Sequence, residues 1–398
     1  MNLFELRLGD AVSTKKLSLQ GAPKVFDVYR IPIDKLVYNK KNGRIATYVS
    51  QFIDEGNEFP QNNIEAFNKI IEEYIEQSNP EALKKTKANI KVMSQTEPAV
   101  VLSNGIILDG NRRFTSLRQL TRDGAGAEFG YLEAVILDEN QYAEKDIKRL
   151  ELNLQHGHES KVDYNPIDRL VDIYRDLISG TGTFTPEEYA RETQDSLYKV
   201  NENIEIASLM IEYLKFIGQP LKFYIARDQK IDGPIREIYK ILKSKKIDQS
   251  RLDDIKEYLF LNILSLDGDI SRRIREIKTV FEDRKLSNQL LDEIEESEVL
   301  DDATDYFEDE ETQKAVASTQ VVNVDKTIRN NVKKLTEDFV ESKKLSTAKN
   351  QPIEILEKVY RTIKEVDKDA VIRLDEKLST EFNDLLNKIK TEIENLSN

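Results

Sequence analysis

Few backbone solutions suit the stretch Ile106-Ile107-Leu108-Asp109-Gly110-Asn111-Arg112-Arg113-Phe114-Thr115-Ser116-Leu117. An apolar run with the character of a buried strand stops at Asp-Gly, and helical spacing of Phe114, Leu117 and Leu120 begins at once. Two arginines fall in the first turn of that helix. A helix start carries unpaired N–H groups and the positive end of the dipole, so cations are unfavourable there unless an anion sits in front of them. Gly110 removes the side chain that would block close backbone approach, and arginine grips phosphate oxygens in bidentate fashion. Two readings stay open at this point: a phosphate site, or a strand-turn-helix corner with Arg112 and Arg113 paired to acidic neighbours.

The flanking segments place this corner in a small α/β domain. Upstream, residues 1–40 carry short β-type segments, Val25 to Ile33 the clearest, and the turn-rich Tyr38-Asn39-Lys40-Lys41-Asn42-Gly43-Arg44 follows. Helices are expected over Ile64 to Gln77 and Pro80 to Met93, then a hairpin in which Asn104-Gly105 joins Pro98–Leu102 to Ile106–Leu108. Downstream, Leu132 to Leu137 is a further strand and Tyr142 to Leu154 a helix, whereas beyond Asn165-Pro166 the pattern is helix after helix.

Composition narrows the chemistry. The 398 residues contain no cysteine and only His156 and His158, which removes thiolate nucleophiles and Cys-based zinc sites and leaves little for Ser-His or Cys-His catalysis. The two histidines read as part of a polar loop. No apolar run approaches the ~20 residues of a membrane span. The N-terminus also lacks a basic start followed by an apolar stretch, so no membrane association and a cytoplasmic location are expected. The net charge of −14 is uneven: residues 291–311 hold twelve Asp and Glu and no Lys or Arg, so the body of the chain is nearly neutral. Local patches must therefore decide any contact with nucleic acid.

An ordered set of motifs carries a resemblance. Ile31-Pro32-Ile33-Asp34-Lys35-Leu36, Ala88-Asn89-Ile90-Lys91, Glu97-Pro98-Ala99-Val100-Val101, Gly110-Asn111-Arg112-Arg113-Phe114, Asn153-Leu154-Gln155 and Asn165-Pro166-Ile167-Asp168 follow one another at family spacing. The chain resembles, over roughly residues 25–220, the N-terminal domain of ParB-type partition proteins in the ParB/sulfiredoxin superfamily, with their GERR, ENLQR and NPIEEA signatures. The resemblance implies a nucleotide, CTP or another NTP, bound with Mg²⁺. It also implies nucleotide contacts from Arg44, Asp109, Gly110, Asn111, Arg112, Arg113, Asn153 and Gln155, with Asn153 helping to hold the metal. A homodimer, bound DNA and a partner ATPase are the implied partners. Asn111 replaces the family glutamate and stands where sulfiredoxins place a cysteine, which rules out their chemistry. Leu152 replaces the glutamate that supports hydrolysis, so any NTPase activity is expected to be slow or absent. Asp109-Gly110-Asn111-Arg112-Arg113 with Thr115 is also similar to the DGQQR-plus-Thr motif of nucleotide-binding subunits of modification-dependent restriction systems. That second resemblance keeps alternatives open: a phosphate-binding defence component acting on protein partners, or a metal-dependent nuclease using Asp109, Glu151 and Glu159.

In the remainder, Thr185 to Glu192 has the signals of a first helix of a helix-turn-helix, and a helix from about Asn203 to Ile217 follows after roughly ten residues. Lys199, Asn201 and Asn203 are the residues placed to reach bases. Residues 221–250 carry eight Lys and Arg against four acids, and Lys240, Lys243, Lys245 and Lys246 are the expected phosphate contacts. Ile328, Val332, Leu335 and Phe339, then Leu378, Phe382, Leu385, Ile389, Ile393 and Leu396, form helical stripes that need covering. The expected organisation is α+β. An α/β domain at 1–160 precedes a helical domain at 161–290 with a helix-turn-helix, an acidic linker at 291–320, and a helical bundle or dimerisation segment at 321–398. The expected function is a ParB-like, CTP- and magnesium-binding, DNA-associated clamp.

Overall fold

A computed structural model describes residues 2–156, 165–180, 182–319, 321–347 and 351–396. The N-terminal part is built on six strands, β1 Ser13–Leu19, β2 Ala22–Pro32, β3 Val37–Tyr38, β4 Ala99–Leu102, β5 Ile106–Asp109 and β6 Tyr131–Leu137. They order as β1-β2-β6-β4-β5-β3. β4 runs parallel to β6 and antiparallel to β5, as the expected hairpin requires. Side chains alternate across the sheet with period two. Ala99, Val101, Leu132, Ala134 and Ile136 share one core with Ile71, Ile75, Ile90, Phe114 and Leu117. Val100, Leu102, Val135 and Leu137 share another with Leu150.

The helices that cover those faces are α1 Ala46–Asp54, α2 Ile64–Ser78, α3 Pro80–Met93, α4 Asn111–Arg122 and α5 Glu144–His156. α2, α3 and α4 cover one face and α5 the other. Buried Arg118 of α4 donates to Glu72 at 2.9 Å and to Glu65 at 2.7 Å, and Arg122 pairs with Glu72 as well, which fixes α4 against α2.

Beyond residue 165 every regular element among the described residues is a helix. These are α6 Pro166–Ile173, α7 Pro186–Thr193, α8 Leu197–Phe216, α9 Phe223–Asp228, α10 Asp232–Leu242, α11 Leu252–Ser265, α12 Ile270–Phe281, α13 Arg284–Glu296, α14 Val299–Glu308, α15 Glu310–Thr319, α16 Lys326–Thr347, α17 Gln351–Lys364, α18 Lys368–Ile372 and α19 Glu376–Leu396, with a π-turn at Tyr174–Ile178 after α6.

Two of the expected boundaries meet described residues and differ from expectation. The junction expected at 160/161 lies outside the described residues. Residues 291–308, expected as an acidic connector, are helical and packed: Leu291, Ile294, Val299, Ala303 and Phe307 are buried in the helical core. Their apolar spacing decides the matter, while most of the acidic residues lie on the outer faces of α13 and α14. α16 likewise buries Ile328, Val332, Phe339 and Val340 in that core, against α11 and α12, so a separate C-terminal unit does not begin at 321. Apolar side chains that stand in solvent include Leu356, Tyr360, Leu385, Ile389 and Ile393 of α17 and α19.

Candidate functional site

β5 ends at Asp109, and Gly110 turns the chain into α4 with φ +109° and ψ 13°. A Cβ at Gly110 would meet the Ala99 Cβ at 2.7 Å, so both the dihedral and the packing demand glycine. No side chain caps α4 and no acidic residue occupies its first turn. The leading N–H groups therefore face the space in front of the helix.

That space is a cleft of about 540 Å³. β5 and α4 contribute Asp109, Gly110, Asn111, Arg112 and Arg113; the short turn Gly43–Ile45 contributes Arg44, and α5 contributes Gln155. Seven of the eight residues expected to contact nucleotide thus converge on one cleft. The eighth, Asn153, is not among the lining residues, and its amide donates to Glu192 of α7 at 2.9 Å. On a helix, positions 153 and 155 lie ~200° apart, so one faces α7 and the other the cleft.

Both arginines of the opening motif line the cleft. Arg113 donates to Asp109 Oδ2 at 2.7 Å and to the Glu97 carbonyl at 2.8 Å, so it staples the corner together. Arg112 lines the cleft opposite Arg44, whose own turn is held by Asn42 accepting the Arg44 N–H at 2.9 Å. Asn111 lines the cleft but is buried, and its Oδ1, shielded from solvent, has no hydrogen-bond partner.

Sequence reading missed Lys15. It reaches the cleft from β1, donating to the Pro98 carbonyl at 2.5 Å and lying 3.8 Å from Glu97. Burial depresses its pKa; Asp109 opposes that effect and Arg113 adds to it. Nothing local marks Lys15 as a site residue, because only sheet pairing brings β1 to the mouth of the cleft. Ser78, Thr86 and Asn89 of α2 and α3 complete the far wall. Among charged lining residues Lys15, Arg44, Arg112 and Arg113 face Glu97 and Asp109, an excess of two positive charges.

Leu152, where the sequence resemblance leads one to expect a glutamate, is buried in the helical core and not in the cleft. Glu151 is also buried, accepting from Asn39 at 3.2 Å and from Gln155 at 3.3 Å, with Lys148 at 3.5 Å. Burial raises its pKa, Lys148 counteracts this and Asp172 adds to it. Of the nuclease candidates, Asp109 is paired with Arg113, Glu151 lies behind Gln155, and Glu159 falls outside the described residues, as does His158. Among the described residues no group of three His, Cys, Asp or Glu is placed to hold a metal ion. The protein groups here fit a triphosphate better than a bare cation, since Mg²⁺ bound with phosphates keeps several waters and needs few protein ligands.

Two seams join the cleft to the helical part. α1, which continues from the Arg44 turn, receives Asp168 Oδ1 on the Thr47 N–H at 3.1 Å, and Arg227 donates to Thr47 Oγ1 at 3.1 Å and to Gln51 at 3.0 Å while stacking 3.9 Å over Tyr48. α5 meets α7 through Lys145 and Arg149, each 2.8 Å from Glu188.

α7 starts with a Thr185–Glu188 capping box and ends at Thr193, and α8 begins at Leu197. The connection is three residues rather than the ten expected, because α8 starts six residues earlier than its apolar spacing suggested, with Ser196 as N-cap. Tyr198 and Asn201 are exposed at the head of α8 and Lys199 is half-exposed, 4.0 Å from Asp195. Asn203 departs from expectation. It is buried on the inward face of α8 with Val200 and Ala207 and accepts from Arg236 at 3.1 Å, so it is not presented to a groove. Lys240 pairs with Glu237 at 3.0 Å, Lys243 pairs with Glu205, and Lys246 lies 3.7 Å from Glu282, while Lys245 is exposed. No helix among the described residues is long and apolar enough to cross a membrane.

No family model and no curated protein matches the sequence. Among solved structures the chain is similar to a Pnob8-like ParB-N domain at 15% identity, with 67% of this chain and 96% of that chain covered and a TM-score of 0.34. A likeness this distant assigns no residue a role.

Proposed function

We propose that the chain is a ParB-like nucleotide-binding protein whose α/β domain takes a nucleoside triphosphate, CTP by the sequence resemblance, with Mg²⁺ carried on its phosphates. The observation that supports this most is the convergence of Arg44, Arg112 and Lys15 on the uncapped start of α4 at Gly110. A triphosphate in front of α4 would meet N–H groups, a helix dipole and bidentate donors together.

Binding rather than turnover is the proposed activity. The position that carries the supporting glutamate in related proteins is here a buried leucine, and Glu151 is held away from the cleft by Asn39 and Lys148. Ligand contacts on the Arg44 turn and on Gln155 would bias the α1 and α5 seams, and with them α7 and α8, a shift between two arrangements set by differential affinity. DNA contact by the α7-turn-α8 unit and homodimerisation through the apolar stripes of α17 and α19 complete the reading.

Calorimetry on the full chain with each of the four ribonucleoside triphosphates and Mg²⁺ tests it. One CTP should bind per chain, and Arg112→Ala should abolish the heat. Absence of binding by any of the four at millimolar concentration overturns the proposal.

A further inference from the structure

The start of α13 repeats the oddity of α4 in a different part of the molecule. Arg284 and Lys285 occupy its first turn and no acidic residue does. In front of that turn a groove of about 330 Å³ lies against the segment Lys246 to Gln249, floored by buried Phe281 and Ile247.

Its polar groups are arranged unequally. The neighbouring carboxylates are already engaged: Asp248 Oδ1 accepts the Ser250 N–H and hydroxyl at 2.9 and 2.7 Å, and Asp283 caps α13 with Oδ1 while its Oδ2 takes Lys343 at 2.9 Å. Glu282 takes the Ser244 hydroxyl at 2.9 Å and lies 3.7 Å from the Lys246 ammonium. Arg284, by contrast, is exposed and makes no ion pair within 4 Å among the described residues. Ser287 lines the groove at only 3% exposure, and its Oγ has no hydrogen-bond partner although the carbonyl one turn back accepts its N–H. The groove is lined by Lys246 and Arg284 against the single carboxylate Asp248, and the unpartnered buried hydroxyl of Ser287 adds a donor to them.

We infer that this groove is a second anion site, which takes a phosphate group on the Arg284 guanidinium, the Lys246 ammonium and the Ser287 hydroxyl. Its volume accommodates the phosphate together with part of the group that carries it. The phosphate has two possible sources, a nucleic-acid backbone or a free phosphorylated molecule, and one chemistry serves both. The site lies outside the nucleotide cleft, so it stands or falls independently of the function proposed above.

The test uses the full chain carrying Arg112→Ala, so that the cleft contributes nothing. Inorganic phosphate is titrated calorimetrically at constant ionic strength, and a short labelled DNA duplex is titrated by fluorescence anisotropy at low salt. Arg284→Ala should weaken binding about tenfold, as loss of a charged hydrogen bond does. Ser287→Ala, which changes no charge, should weaken it measurably, and Lys285→Gln, which removes a charge outside the groove, should not. Loss of phosphate binding alone identifies a free phosphorylated ligand, and loss of duplex binding alone identifies a backbone phosphate. If neither ligand responds to Arg284→Ala and Ser287→Ala, or if Lys285→Gln costs as much as Arg284→Ala, there is no built site and the inference is overturned.

Discussion

Gly110 and the two arginines that follow show how differently adjacent residues can be used. At φ +109° with the Ala99 Cβ 2.7 Å from where a side chain would begin, Gly110→Ala must strain the backbone and displace β4. The dihedral alone should cost about 1–3 kcal/mol, measurable by urea denaturation, and an unchanged midpoint would contradict the close approach. Arg113 holds Asp109 and the Glu97 carbonyl, so Arg113→Ala should also destabilise the fold, by about 1.5–3 kcal/mol. Arg112 lines the cleft, and Arg112→Ala is expected to act on ligand binding. A pair of variants in which stability and binding are lost in the opposite order would show that the assignment of the two arginines is reversed. Sequence alone left both readings of Arg112 and Arg113 open, because the partner of a long cation is set by what the fold brings within reach.

At the scale of elements, α5 has three duties on three faces. Leu150 packs on the sheet, Leu152 enters the helical core, and Gln155 reaches the cleft. Restoring a glutamate by Leu152→Glu would therefore bury an unpaired charge among aliphatic side chains, not equip the cleft for hydrolysis. A loss on the order of 3 kcal/mol is expected, read by chemical denaturation. A stable Leu152→Glu protein with new NTPase activity would refute this placement. α13 and α14 teach the complementary lesson. Acidic residues dominate residues 291–311 by number, yet the buried Leu291, Ile294, Val299, Ala303 and Phe307 recur at helical spacing, and five inward side chains outweigh many charges that remain solvated.

For the whole molecule, the seam at α1 and α6 should make stability depend on pH. Asp168 is fully buried, Oδ2 has no partner, and burial raises its carboxyl to about 7, with the Thr47 hydrogen bonds opposing, Asp172 adding and Arg227 opposing. Asp176, buried near Lys148, Asp172 and Glu151, is raised to about 6. An unfolded aspartate titrates near 3.9, so between about 4 and 7 the folded chain holds protons that the unfolded chain has released. Stability should fall as pH rises through that window and level off above it. Melting temperatures compared at about pH 5 and pH 8 should be higher at the lower pH, and Asp168→Asn, which keeps an acceptor for the Thr47 N–H, should flatten the difference. An unaltered slope in that variant would place the titrating group elsewhere.

The sequence by itself determined the order and kind of elements. Period-two alternation marked β2, the Asn104-Gly105 turn marked the β4–β5 hairpin, 3.6-residue spacing marked α2, α3 and α16, and the run from Ile106 to Leu120 specified strand, glycine turn and helix. These are properties of the local backbone, fixed by sterics over a few residues, and hence readable from a short window. Tertiary structure alone decided which groups share a space. It brought Lys15 from β1 to the cleft, turned Asn153 toward Glu192, buried Asn203, and placed Leu152 in the helical core. Each of those outcomes depends on elements far apart in the chain meeting across a sheet or a seam, and no local pattern encodes that meeting. The arginines at the start of α4 were legible from the first; the fold alone showed that both line the cleft and that Arg113 also closes the corner on Asp109.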